Sequence, residues 1–158
     1  GYFANKYPDN PPVFAVVESD QADCLYRSAC AGDGSIRTVG GDMRTIMAGL
    51  ACGEPSITSW QILKDKVTAF ASLPDRVAAD GMRVLGAPLP GDPRVISGES
   101  GAAPLGFLYA LMRDEELAPL REILKIGKDS RVLLFSTEGA TDPENYRKVV
   151  WEGACGSR

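Results

Sequence analysis

The chain has no histidine among its 158 residues. That excludes every triad in which an imidazole activates serine or cysteine, and every histidine-containing zinc site. Its four cysteines, Cys24, Cys30, Cys52 and Cys155, form no Cys-x-x-Cys pair, so a structural zinc site is not indicated either. No apolar run approaches the roughly 20 residues needed to span a bilayer, so no membrane partner is expected. Long basic runs are missing too, and the net charge is −4. Nucleic-acid binding is therefore disfavoured, because phosphate contacts need clustered Lys and Arg. Gly1 to Pro12 are polar and proline-rich, unlike a signal peptide, and a cytoplasmic location is the default.

What is present suits one α/β domain with a real core. Hydrophobic residues make up 44% and charged residues 24%, ordinary values for a globular chain. In a reducing compartment the cysteines read as free, mostly buried thiols. A Cys24–Cys52 disulfide is the alternative, since the two lie on successive elements that could pack together. Sequence cannot fix the Cα separation that decides between them.

Val13 to Val17 is a continuous apolar run rich in β-branched residues and predicts a buried strand of a parallel sheet. Glu18 and Ser19 end it, in a capping role or toward a ligand. A helix follows from Gln21 to about Ala31, with Asp20 as its cap. Ile36 to Val39 predicts a second strand, completing a βαβ unit. Met43 to Leu50 reads as helix-like. Trp60, Leu63, Val67 and Phe70 recur at helical spacing. Further helices are expected over Asp75 to Leu85, Gly101 to Met112 with Pro104 in the first turn, and a segment to Ile126 starting near Pro119. Arg131 to Phe135 predicts a third strand, and Asp142-Pro143 a capped final helix. The expected architecture is a three-layer α/β domain, residues 1–158, with a mostly parallel sheet. Three strands are few for so many helices, which leads us to expect sheet partners outside these residues.

Two segments could carry chemistry. Ser97-Gly98-Glu99-Ser100-Gly101-Ala102 nearly matches the nucleophile elbow, but that device needs a base and the usual one is absent. Two readings stay open: a glycine-rich helix entry with Ser97 or Ser100 as cap, or a close backbone approach with one carboxylate serving a ligand. Phe135-Ser136-Thr137-Glu138-Gly139 follows a predicted buried strand, where open α/β sheets bind ligands. A hydroxyl there either satisfies loop backbone or meets a ligand.

Five ordered segments raise the specificity: Ala22 to Arg27, Thr45 to Pro55, Ile96 to Ala103, Phe135 to Gly139 and Tyr146 to Gly153. Together they resemble the diaminopropionate ammonia-lyase family, in its C-terminal part. The resemblance implies a pyridoxal-phosphate enzyme of fold type II, the tryptophan-synthase-β-like fold, acting on a small amino-acid substrate and forming a homodimer. It also implies that the Schiff-base lysine lies in an N-terminal part absent from this sequence, so no catalytic residue is expected here and these residues alone are expected to be inactive. By the same resemblance, Ser136 meets the pyridine nitrogen, Glu99 lies near the ring, the Gly49 backbone approaches the cofactor and Thr137 is a neighbour. Ala140 departs from the family's frequent Asp. A serine or threonine dehydratase of the same fold, or a non-catalytic α/β binding module, are the alternatives.

Overall fold

Two short parallel strands lie at the centre of the computed structural model, which describes residues 1–156. β1 (Ala15–Ser19) pairs with β2 (Ala69–Leu73) in register from Ala15 opposite Ala69 to Ser19 opposite Leu73. The helices are α1 (Tyr2–Lys6), α2 (Cys24–Ala31), α3 (Ile57–Lys66), α4 (Asp75–Gly86), α5 (Glu99–Arg113), α6 (Ala118–Ile123) and α7 (Pro143–Val150). Single 3-10 turns cover Ala48–Leu50 and Glu115–Leu117. The α/β class and the parallel pairing hold, whereas the strand inventory differs from expectation.

β1 starts two residues later than its apolar run. Its partner is not Ile36 to Val39, which forms no strand. The polar groups around that segment go elsewhere: Arg37 N–H donates to Ser28 Oγ (2.8 Å) and the indole of Trp60 donates to the Gly34 carbonyl (2.8 Å). The partner is Ala69–Leu73, whose first residues continue the helical spacing of the segment before it. α3 stops at Lys66 because Val67 is already extended, with φ −86° and ψ 130°. β-branched Val67 and Thr68 favour that change. Phe70 still reaches Trp60, with ring centroids 5.9 Å apart, so the helical spacing detected a contact made by another route.

Arg131 to Phe135 is not a strand either. Its exposed Val132, Leu133 and Phe135 line a groove of about 570 Å³ with Val13, Phe14, Phe107 and Leu111. The composition is that of a strand, but a ladder needs a neighbour, and among the described residues none pairs with it.

Several helix starts differ from the sequence expectation. α2 begins after Asp23, not Asp20, and Asp23 makes no side-chain cap bond. The cap comes from β1 instead: the Glu18 carboxylate accepts from the N–H groups of Leu25 (3.0 Å) and Tyr26 (2.8 Å). Burial raises the Glu18 pKa, and those two backbone bonds offset part of the rise. The helix expected over Met43 to Leu50 shrinks to one turn. Met43 takes a positive φ of 43°, and the Asp75 carboxylate occupies the Thr45 hydroxyl (2.5 Å) and the Ile46 N–H (3.2 Å). α5 begins at Glu99, with Gly98 as N-cap, so neither Ser97 nor Ser100 caps it and Pro104 falls in the second turn. α6 carries Pro119 at its start, and α7 has Pro143 at its first position with the Asp142 carboxylate accepting from Asn145 N–H (3.0 Å), as the sequence indicates.

The core sits where α4 meets α5. Val77, Ala78, Ala79 and Met82 face Ala102, Ala103 and Phe107, and Tyr146 and Val149 of α7 close the far side. Glycines bring the two helices to backbone contact. A Cβ on Gly106 would lie 1.9 Å from the Val77 carbonyl oxygen, and one on Gly81 would lie 2.3 Å from that of Ala102. Backbone cannot give way as a flexible side chain can. Gly106→Ala should therefore lower stability by about 3 kcal/mol, read as a lower urea midpoint with an unchanged slope.

Candidate functional site

Three loops converge at the N-terminal end of α5. The Gly49 N–H donates to Ser100 Oγ (3.0 Å), and the Ser100 N–H donates to a carboxylate oxygen of Glu138 (3.2 Å). The Gly98 N–H donates to the Glu138 carbonyl (3.1 Å). Ser97 Oγ lies 2.8 Å from Ser136 Oγ. The turn at Ala48–Leu50, the entry to α5 and the loop 136–139 are thus bonded into one rim. Ser97 and Ser100 are buried, while Ser136 and Thr137 are exposed. The rim presents a neutral hydroxyl outward and keeps its polar support inside.

Glycines allow this convergence. A Cβ on Gly98 would lie 2.5 Å from the Gly139 carbonyl oxygen, and one on Gly49 would lie 2.9 Å from Ser100 Oγ. A side chain at position 49 would therefore press on the Ser100 hydroxyl that accepts from the Gly49 N–H.

Ser136 and Gly49 belong to this rim, and Thr137 lies in the same loop as Ser136. Glu99 does not bring its carboxylate there. It is only 7% exposed and hydrogen-bonds the side-chain amide of Asn145, in the first turn of α7. A buried carboxylate takes the nearest donor, and here that donor ties α7 to the start of α5. The carboxylate in the rim belongs to Glu138, whose Oε2 would lie 3.7 Å from a Cβ on Gly49. Sequence reasoning gave Glu138 no role. The available signal was its place two residues after Ser136 in a loop following an apolar run.

Known proteins are similar to this chain in sequence and in fold. The chain is 54% identical over 153 residues, 97% of its length, to the diaminopropionate ammonia-lyase of Escherichia coli (strain K12). It is 51% identical over 154 residues to that of Salmonella typhimurium (strain LT2). The chain belongs to the diaminopropionate ammonia-lyase family. It spans 38% of the length of these curated relatives. The solved holo structure of the Escherichia coli lyase superposes with a TM-score of 0.86 at 49% identity, covering 97% of this chain and 37% of that one. A second structure of that lyase, in complex with an aminoacrylate-PLP azomethine reaction intermediate, gives a TM-score of 0.79 at 51% identity, covering 90% and 35%. A solved threonine deaminase shares the fold, with a TM-score of 0.54 at 22% identity over 66% of this chain and 34% of its own. No protein-family model matches. Among the described residues, no helix is long and apolar enough to cross a membrane.

A second polar cluster lies beneath the turn at Cys52. Cys24 Sγ lies 3.4 Å from the Cys52 carbonyl oxygen and 3.5 Å from Glu18 Oε1, so its single S–H proton has either oxygen as an acceptor. The two cysteines are neighbours, as the disulfide alternative requires, but all four cysteines are free thiols in this structure. Burial, followed by the Glu18 charge, pushes the Cys24 thiol up to about 11. Thiolate is the reactive form. In the native protein at pH 8, Cys30, Cys52 and Cys155 should react quickly with Ellman's reagent and Cys24 slowly, with four thiols counted after denaturation. A denatured, unreduced count of two would instead mark a bond between Cys24 and Cys52.

Proposed function

We propose that this chain supplies the ring side of the cofactor pocket in an enzyme that converts 2,3-diaminopropionate to pyruvate and ammonia with pyridoxal phosphate. The observation that carries the reading is the exposed Ser136 hydroxyl, anchored on Ser97 at a rim shared with Gly49 and Glu138. Its support is the identity of 51–54% to lyases of that name, one of them solved with a PLP intermediate. The donor set fits the group. A hydroxyl donates to an unprotonated pyridine nitrogen, whereas a carboxylate would hold that nitrogen protonated. The Glu138 carboxylate is engaged by the Ser100 N–H, and Glu99 is engaged by Asn145.

Pyridoxal phosphate supplies an electron sink for loss of the substrate α-proton. Ser136 holds the ring nitrogen neutral and so keeps that sink weak. A weak sink suits β-elimination, in which the departing amino group carries the electron pair away. Gly49 keeps its turn low, where its backbone can approach the ring, with Thr137 beside it. Glu99 acts through α7, fixing the start of α5 from which the rim is built. The Schiff-base lysine is assigned to another part of the longer protein. We further infer that residues 1–158 form one α/β unit of that enzyme, that the complete enzyme is a cytoplasmic homodimer and that this unit alone is inactive.

A β-hydroxy amino acid is the second substrate reading. The solved Escherichia coli lyase has been captured with D-serine, and threonine deaminase shares the fold. The complete enzyme should release pyruvate faster from 2,3-diaminopropionate than from serine, and from threonine it should form little 2-oxobutyrate. Faster turnover of serine or threonine reverses the assignment, and turnover of none supports a binding module. Ser136→Ala should lower kcat by about tenfold, the equivalent of one hydrogen bond of ~1.4 kcal/mol, without altering far-UV circular dichroism. Full turnover by that variant would remove the ring-nitrogen role.

A further inference from the structure

We infer that Ser97 is a positioning residue that orients the Ser136 hydroxyl as an outward proton donor; this rests on the proposed contact of Ser136 with the ring nitrogen. Protons and acceptors can be counted at this point of the rim. Two hydroxyls, each with one proton, lie 2.8 Å apart, one buried completely and the other at the surface. The other acceptors near Ser97 Oγ are the Gly98 carbonyl at 3.2 Å and the Glu138 carbonyl at 3.4 Å. The Glu138 carbonyl already accepts from the Gly98 N–H, and it also lies 3.4 Å from Ser136 Oγ.

Two of the proton arrangements open to this pair decide what an outside group meets. In one, Ser136 donates inward to Ser97, and Ser97 donates onward to a carbonyl. The surface then shows only oxygen lone pairs, which repel the lone pair of an unprotonated ring nitrogen. In the other, Ser97 donates to Ser136, and the Ser136 proton points outward. The short bond is kept in both, and the buried Ser97 hydroxyl stays satisfied in both. Only the second offers a donor to the ring, so an acceptor on the outside selects it. Donation from Ser97 also polarises the Ser136 O–H and strengthens its outward bond.

The packing keeps Ser97 available for this. A Cβ on Gly101 would lie 2.7 Å from Ser97 Oγ, so the glycine one turn on leaves the space that the hydroxyl fills. Without Ser97, the Ser136 proton can turn inward to the Glu138 carbonyl, and the outward donor is lost for part of the time.

The test uses the complete holoenzyme loaded with pyridoxal phosphate labelled with 15N at the ring nitrogen. The unaltered enzyme should show the nitrogen shift of a neutral, hydrogen-bonded pyridine. Ser97→Ala should move that shift toward the free, unbonded value and weaken cofactor binding about threefold to tenfold. Ser136→Ala should move it the same way, and the double variant should go no further than Ser136→Ala alone. Ser97→Cys keeps the side-chain shape at a somewhat larger volume but donates weakly, and should give an intermediate shift even if the alanine variant folds poorly. A purely structural Ser97 would lower the melting temperature without moving the nitrogen signal. If Ser136→Ala moves the signal and both Ser97 variants leave it in place, the orienting role is overturned while the ring-nitrogen contact stands. If Ser136→Ala leaves the signal unmoved, both fall together.

Discussion

The backbone contact between α4 and α5 is the constraint on which the rest depends. Gly81 and Gly106 let two helices touch through carbonyl oxygens, closer than any side chain permits. That contact fixes the axis of α5, and the axis fixes where its first turn lies. Ser97, Gly98 and Ser100 therefore arrive at a set place from a rigid element. Sites built on such elements hold their geometry better than sites on free loops. α7 adds a second restraint through Tyr146 and Val149 in the core and through Asn145 on Glu99.

The polar groups at this end form a connected set. Burying a hydroxyl or carboxylate without a partner is costly, so each buried polar group here is met by a loop or a helix turn. Ser100 accepts from Gly49 and engages Glu138 through its own N–H, and Gly98 takes the Glu138 carbonyl. Loop 136–139 has no strand beneath it among the described residues, yet these bonds hold it against α5. The outward hydroxyl thus owes its position to buried partners more than to its own segment.

Much of the fold was legible because its causes are local. Proline at the first helical position and an Asx cap announced α7, and a β-branched apolar run announced β1. Errors arose where one pattern serves two structures. Trp60, Leu63, Val67 and Phe70 satisfy helical spacing, but the chain changes from helix to strand between Lys66 and Ala69. Val132 to Phe135 has strand composition and no ladder, since pairing belongs to two segments at once. Motif and resemblance drew attention to the segments that hold Gly49, Ser97 and Ser136, which the structure brings together. That Glu99 bonds Asn145 while Glu138 bonds the Ser100 N–H was not legible in the sequence.

The sequence by itself determined the α/β class, the lack of any imidazole among these 158 residues, the family resemblance and the hydroxyl at position 136. Each of these depends on residue identity or near-neighbour order. Tertiary structure alone decided that β2 partners β1, that Glu99 turns toward α7, and that Ser97 lies beneath Ser136. Those choices join residues 39 to 54 positions apart. A side chain's direction is set by the donor that happens to be nearest in space, and no periodicity along the chain encodes that distance.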